Sequence, residues 1–392
     1  MLDQKDDAPA CTSHAKDPGP CKDRSVIPRL RGFLLAQWTT IVPVLAVVLL
    51  VLTWGRSLPG GGVALLTLVL AGSVLAAVHH AEVVAHRVGE PFGSLILAVA
   101  VTVIEVALIV TLMIDGGDKS ATLARDTVFA AVMITCNGIV GLSLLVGSLR
   151  HKVAIFNPEG SGAALATVAT LATLCLVLPT FTTSKPGPEY SSAQLIFAAL
   201  ASLVLYGLFV TTQTVRHRSY FLPLTRQGEV ISAPEHIEMP TNRAALTSLA
   251  LLGLALVGVV GLAKGVSPTI ETAIDSAGLP HAVVGVLIAL LILLPETIAA
   301  VRAARRDRVQ ISLNLGLGSA MASIGLTIPT VAIASIWLPG PLVLGLGATH
   351  MVLLALTIGV GILTVVPGRA TPLQGGVHLV LLAAYLELAI NP

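Results

Sequence analysis

The stretch FGSLILAVAVTVIEVALIVTLMID, residues 92–115, decides the fold. As a helix it would reach roughly 36 Å, enough to cross a hydrocarbon core of about 30 Å. Glu105 stands near its middle. A second run, HAVVGVLIALLILLPETIAAV over residues 281–301, carries Glu296 at a comparable depth. An ionisable group at mid-membrane costs roughly 2.5 kcal/mol or more on insertion scales, so such residues are functional by default. Two carboxyls placed in this way read as a cation site.

The rest of the chain supports a membrane setting. Of its 392 residues 55% are hydrophobic and 11% charged, with a mean hydropathy of +0.89, far too apolar for a soluble domain. Apolar runs of spanning length fall near residues 33–54, 62–80, 93–114, 127–149, 161–181, 192–212, 244–263, 281–301, 310–337, 340–365 and 371–390. These predict an all-α polytopic protein of eleven transmembrane helices; the alternating ten-residue pattern of a membrane barrel is missing. With the N-terminus cytoplasmic, only Arg56, Lys119, Arg125, Lys185 and Lys264 of the 23 Lys and Arg residues fall outside. This excess inside predicts N-in, C-out insertion in the inner membrane. The net charge of +2 then reflects topology and gives no nucleic-acid surface. Residues 1–32 read as a disordered cytoplasmic tail. Cys11, Cys21, Cys136 and Cys175 show no metal-ligand spacing, and neither a disulfide nor a cofactor is expected.

The polar stretch 213–243 divides the spans after the first (33–57) into two groups of five, residues 58–212 and 244–392. Each group carries a glycine, a central glutamate, a charged turn and a span rich in small residues. Gly93, Glu105, Asp126 and Asn137 in one correspond to Gly285, Glu296, Asp307 and Gly318 in the other, and both aspartates stand 11 positions before their partner. Five spans per group is an odd number, so the halves must run in opposite senses. Inverted repeats with a polar site at the midplane are the pattern of secondary transporters.

Thr102 lies three residues before Glu105 and shares its helical face. Pro295 removes a backbone donor and frees the Leu291 carbonyl. Ser312, Ser319 and Ser323 form one stripe on the following span, where small residues also serve close helix packing; Asn137 occupies the comparable place in the first half. Carboxylate, hydroxyl and amide oxygens suit a hard cation such as calcium, which gives a candidate ligand set of Glu105, Glu296, Thr102, Asn137 and Ser319. Two carboxylates in a low-dielectric site repel, so an empty site takes up protons that a cation would displace. His80, Glu82 and Glu90, with His79 and His86, cluster near one membrane face as a proton relay, a cation vestibule or a solvated surface. His350 and His378 read as packed hydrogen-bonding groups, and Arg302 to Arg308 as a lipid-headgroup anchor.

The segment from His80 through Arg87-Val88-Gly89-Glu90-Pro91-Phe92-Gly93 to Val103-Ile104-Glu105 resembles the first alpha-repeat of bacterial ChaA-type calcium/proton antiporters, within the cation/calcium exchanger superfamily. Pro295-Glu296-Thr297-Ile298-Ala299-Ala300 and Leu317-Gly318-Ser319-Ala320 resemble the second repeat, and Val215 to Phe221 the connection between them. The resemblance implies that Glu105 and Glu296 bind the transported cation. Many exchangers carry Gly-Asn before each glutamate, where this chain has Val101-Thr102 and Leu293-Leu294. The expected function is secondary transport, exchanging cytoplasmic calcium for external protons by alternating access, with a sodium or potassium/proton antiporter as the alternative. An intramembrane enzyme is disfavoured, because neither a His-Glu-x-x-His motif nor a phosphate loop is present. A channel is disfavoured by the lack of a filter-like loop. Expected partners are the transported ions and membrane lipid.

Overall fold

The computed structural model describes residues 26–56, 60–89, 92–116, 121–149, 151–225, 227–230, 240–337 and 340–392. Within them run eleven helices: α1 (Val26–Thr53), α2 (Gly60–Val88), α3 (Phe92–Gly116), α4 (Leu123–Leu149), α5 (Pro158–Thr180), α6 (Ser192–Arg216), α7 (Asn242–Ala277), α8 (Ala282–Arg305), α9 (Val309–Ala334), α10 (Ala348–Val365) and α11 (Pro372–Ile390). Ten of these, α2 to α11, are long and apolar enough to cross a membrane. The protein is a multi-pass membrane protein. Helix α1 begins at Val26, inside the stretch read from sequence as tail, and residues 1–25 lie outside the described residues.

Local chemistry sets the helix ends. Asn157 caps α5, its Oδ1 accepting from the amides of Glu159 and Gly160, with Pro158 at the first turn. Ser191 and Gln194 form a reciprocal capping box on α6, as Thr371 and Gln374 do on α11. The expected span 340–365 is shorter than predicted, because residues 341–347 are non-helical before α10 begins. Pro341, Gly345 and Gly347 disfavour helix there. The backbone is satisfied elsewhere: Val343 N donates to Ala121 O, Gly345 N to Pro188 O and Leu346 N to Leu176 O. Irregular backbone at membrane depth is tolerated only with such partners.

Most helix contacts occur in pairs related by exchanging α2–α6 with α7–α11. Helix α3 packs on α9 as α8 packs on α4; α6 on α9 as α11 on α4; α5 on α6 as α10 on α11; and α2 on α8 as α7 on α3. Other contacts, α2 with α7, α3 with α8, α4 with α9 and α5 with α10, join counterparts directly. Bonds between distant segments mark the two ends of the bundle. At one end, which carries the connection after α6, Arg87 Nε donates to Asn242 Oδ1, Asn157 N donates to Gln310 Oε1, His151 pairs with Asp307, and Ala154–Ile155 forms a two-stranded sheet with Arg369–Ala370. At the opposite end Arg125, paired with Asp126, donates to Gly345 O.

Glycines allow the closest approaches. A methyl group on Gly375 of α11 would lie 2.6 Å from Leu145 N and 2.9 Å from Gly141 O of α4, so these backbones meet face to face.

Candidate functional site

Glu105 and Glu296 line one cavity of about 280 Å³ between α3, α6, α8 and α9. Thr102, Ser319, Gly318 and Ser323 share the wall, and Tyr206, Gln213 and Asn314 extend it towards the connection between the halves. The lining residues run from the start of α3, the end of α6 and the start of α9 to mid-bundle. All three helix ends lie on the face that carries the connection, so the cavity leads from that face to the glutamates.

The carboxyls are held differently. Glu105 is buried, and its Oε1 accepts a 2.7 Å bond from Ser323 Oγ. Glu296 Oε2 is buried without a hydrogen-bond partner, and the residue lies within electrostatic reach of Glu105 and of Glu82. An orphaned carboxylate oxygen in low dielectric calls for a proton or a cation. Pro295 sits inside a continuous α8, and the Thr297 hydroxyl turns back to Leu293 O at 2.7 Å, a local bond that takes it away from the site. Among the described residues, no three His, Cys, Asp or Glu side chains are grouped to hold a metal. The cavity therefore offers a carboxylate pair with hydroxyls beside it.

Of the expected ligands, the fold brings together Glu105, Glu296, Thr102 and Ser319. Asn137 is not among them. It is fully buried in the π-helical turn Ile134–Ile139 of α4, its Nδ2 donating to Thr357 Oγ1 at 2.9 Å and its Oδ1 accepting from His378 Nδ1 at 3.1 Å. Its amide is already satisfied by α10 and α11, which corrects the expectation that it faces the glutamates in this conformation. Ser312 is likewise engaged, donating to Ala300 O at 2.6 Å. His80 also lies elsewhere: its ring meets Ser248 Oγ at 3.3 Å and Thr39 O at 2.9 Å, tying α2 to α7 and α1. Glu82 is half-buried on α2, off the cavity wall. Glu90 lies outside the described residues.

Sequence reasoning missed Tyr206, Gln213 and Asn314. Gln213 sits in a π-helical last turn, Thr212–Arg216, where a polar residue reads as interfacial. Asn314 belongs to a chain of amides: Gln310 Nε2 donates to Asn314 Oδ1, and Asn314 Nδ2 to Phe221 O.

A polytopic helical bundle with paired carboxyls facing one cavity is a membrane transporter of the cation-exchanger class. The chain matches the family described as sodium/calcium exchanger protein over residues 58–215 and 247–391. It is 47% identical over 367 residues to y4hA of Sinorhizobium fredii, named only for ionic transport, covering 93% of this chain and 99% of that one. It is 37% identical over 354 residues to the sodium-potassium/proton antiporter ChaA of Escherichia coli, covering 89% and 95%. In fold it is similar to the H+/Ca2+ exchanger CAX, with a TM-score of 0.65 at 16% identity over 91% of this chain and 88% of that one. The chain belongs to the sodium/calcium exchanger family and is a ChaA-type cation exchanger.

Proposed function

We propose that the protein is a proton-driven antiporter that exports calcium by alternating access, with Glu105 and Glu296 as the shared site for cation and protons. The observation that carries this reading is that two carboxyls from different halves face one cavity, one held by Ser323 and the other with a bare buried oxygen. Two negative charges balance one divalent ion, and Thr102, Ser319 and Ser323 add neutral oxygens of the kind hard cations prefer. An empty carboxylate pair in low dielectric takes up protons, so a cation and protons compete for the same oxygens. That competition yields antiport when the empty, unprotonated site does not reorient.

In this reading residues 58–212 and 244–392 are inverted repeats joined by a cytoplasmic connection, 213–243. The cation enters from the cytoplasm along Gln213 and Asn314, Glu82 serves the vestibule or the proton route, and the N-terminus is cytoplasmic with the C-terminus external in the inner membrane. A sodium or potassium/proton antiporter is the second reading, favoured by the 37% identity to the sodium-potassium/proton antiporter.

Cation-dependent proton flux in reconstituted vesicles, compared across calcium, sodium and potassium, tests the choice. Flux driven by calcium supports the first reading. Flux driven by sodium or potassium with none from calcium supports the second.

A further inference from the structure

Threonines inside these helices commonly return their hydroxyl to the carbonyl four residues back, as Thr297 does to Leu293 O and Thr330 to Leu326 O, each at 2.7 Å. Thr327 of α9 does not. Its Oγ1 is fully buried, has no hydrogen-bond partner and faces the Glu105 carboxyl. Among the described residues the hydroxyls of Thr127 and Ser143 are also bare, but they belong to α4, which gives the cavity wall only Ala131.

Thr327 stands four residues beyond Ser323, so it shares that residue's helical face one turn, roughly 6 Å, farther along α9. Helix α9 begins on the face that carries the connection, and Thr102, Ser319 and Ser323 line the cavity whereas Thr327 does not. Glu105 therefore has the cavity and Thr102 towards the connection, Ser323 beside it and Thr327 on the far side. Buried polar groups almost always find a partner. A hydroxyl that passes over its own helix and faces a carboxyl is a donor held for the ionised acid, and a bond to a charged acceptor is the stronger kind.

We infer that Thr327 is a further residue of the transport site, a positioning residue that donates to the Glu105 carboxylate from the side away from the cavity and, with Ser323, fixes the oxygen presented to the cation. The inference rests on the reading in which Glu105 binds the cation, and adds the group that holds that carboxylate in place. Two hydroxyls one turn apart restrain a carboxylate more tightly than one, and a ligand already fixed in its bound geometry loses less freedom when the ion arrives. Thr327 touches the carboxylate, not the cation.

Thr327→Val keeps the shape and removes the hydroxyl, and Thr327→Ser keeps the hydroxyl and drops the methyl. Both are read in the full chain as initial rates of cation-driven proton flux in vesicles, with calcium, or with potassium or sodium where calcium drives none in the wild type. Thr327→Val should raise the apparent cation constant about tenfold, the lower end of what a bond to a charged acceptor gives, with the maximal rate within about twofold. Thr327→Ser should stay close to the wild type. The denaturant midpoint of Thr327→Val in detergent should hold or rise, since an apolar group replaces a bare buried hydroxyl. An unchanged constant in Thr327→Val, or one raised as far in Thr327→Ser, overturns the inference; a lowered midpoint beside an unchanged constant overturns it in favour of packing alone. Should Thr327→Val fail to insert, Thr327→Ala set against Thr327→Ser makes the same comparison. Glu105→Gln measured alongside separates the failures. If it is inactive while Thr327→Val behaves as wild type, only the role of Thr327 falls, whereas wild-type-like exchange by Glu105→Gln brings down the glutamate site and this inference with it.

Discussion

Ser323 of α9 donates its hydroxyl to Glu105 of α3 at 2.7 Å, a bond between the two halves of the bundle that joins the small-residue stripe to the first glutamate. A hydrogen bond to a charged acceptor contributes about 1.5–3 kcal/mol. Ser323→Ala should therefore raise the apparent cation constant about tenfold or more, and Ser323→Thr should recover most of the loss. Initial rates of exchange against cation concentration measure both.

Glu105→Gln and Glu296→Gln should each abolish exchange while the protein still inserts, since each removes one of the charges that balance the cation. Gln at 105 can still accept from Ser323, so loss of activity there isolates charge from packing. Binding measured by calorimetry should disappear in both variants.

Ser319→Ala should raise the apparent cation constant by a few fold with little change in maximal rate, because it removes a neutral wall oxygen. Asn137→Ala should act mainly on stability. It leaves His378 and Thr357 without their shared partner, at a cost of about 1–3 kcal/mol for each buried group left unsatisfied. Denaturant midpoints in detergent separate the two effects.

Gln310 is 1% exposed and bridges Asn157 N, Ser161 Oγ and Asn314 Oδ1. Gln310→Leu should destabilise the protein by about 2–4 kcal/mol, with the loss concentrated where α5 meets α9. Hydrogen exchange of the first turn of α5 should report it locally.

Acidity should inhibit competitively. Protonating the carboxylates removes the charges that hold the cation, so lower pH raises the apparent cation constant and higher cation concentration restores the rate. Inhibition that no cation concentration overcomes would mean that the protons act elsewhere.

The helices and the central glutamates were legible because membrane spans announce themselves by length and apolarity, and a mid-span carboxyl stands out against that background. Thr102 followed from helical spacing. Asn137 was misplaced because the π-helical turn Ile134–Ile139 breaks the 3.6-residue period on which facing arguments depend, and its partner His378 lies 241 residues away. Ser312, Ser319 and Ser323 look alike in sequence, yet one bonds the Ala300 carbonyl, one lines the cavity and one holds Glu105. Only the relative placement of α3, α8 and α9 separates them. Gln213 and Asn314 sit near helix ends, where polarity needs no special explanation, so no sequence signal drew them to the cavity.

Read as inverted repeats, the halves should carry Asp115, near the end of α3, and Arg302, near the end of α8, to opposite membrane faces. Impermeant labelling of single cysteines at 115 and 302 should come from different sides. Labelling of both from one side would refute the inversion.

The most direct test of the shared site is calcium-driven proton movement in vesicles holding wild type, Glu105→Gln or Glu296→Gln at matched insertion. A shared site requires coupled flux for the wild type and none above empty vesicles for either variant. Wild-type-like exchange by either one would contradict it.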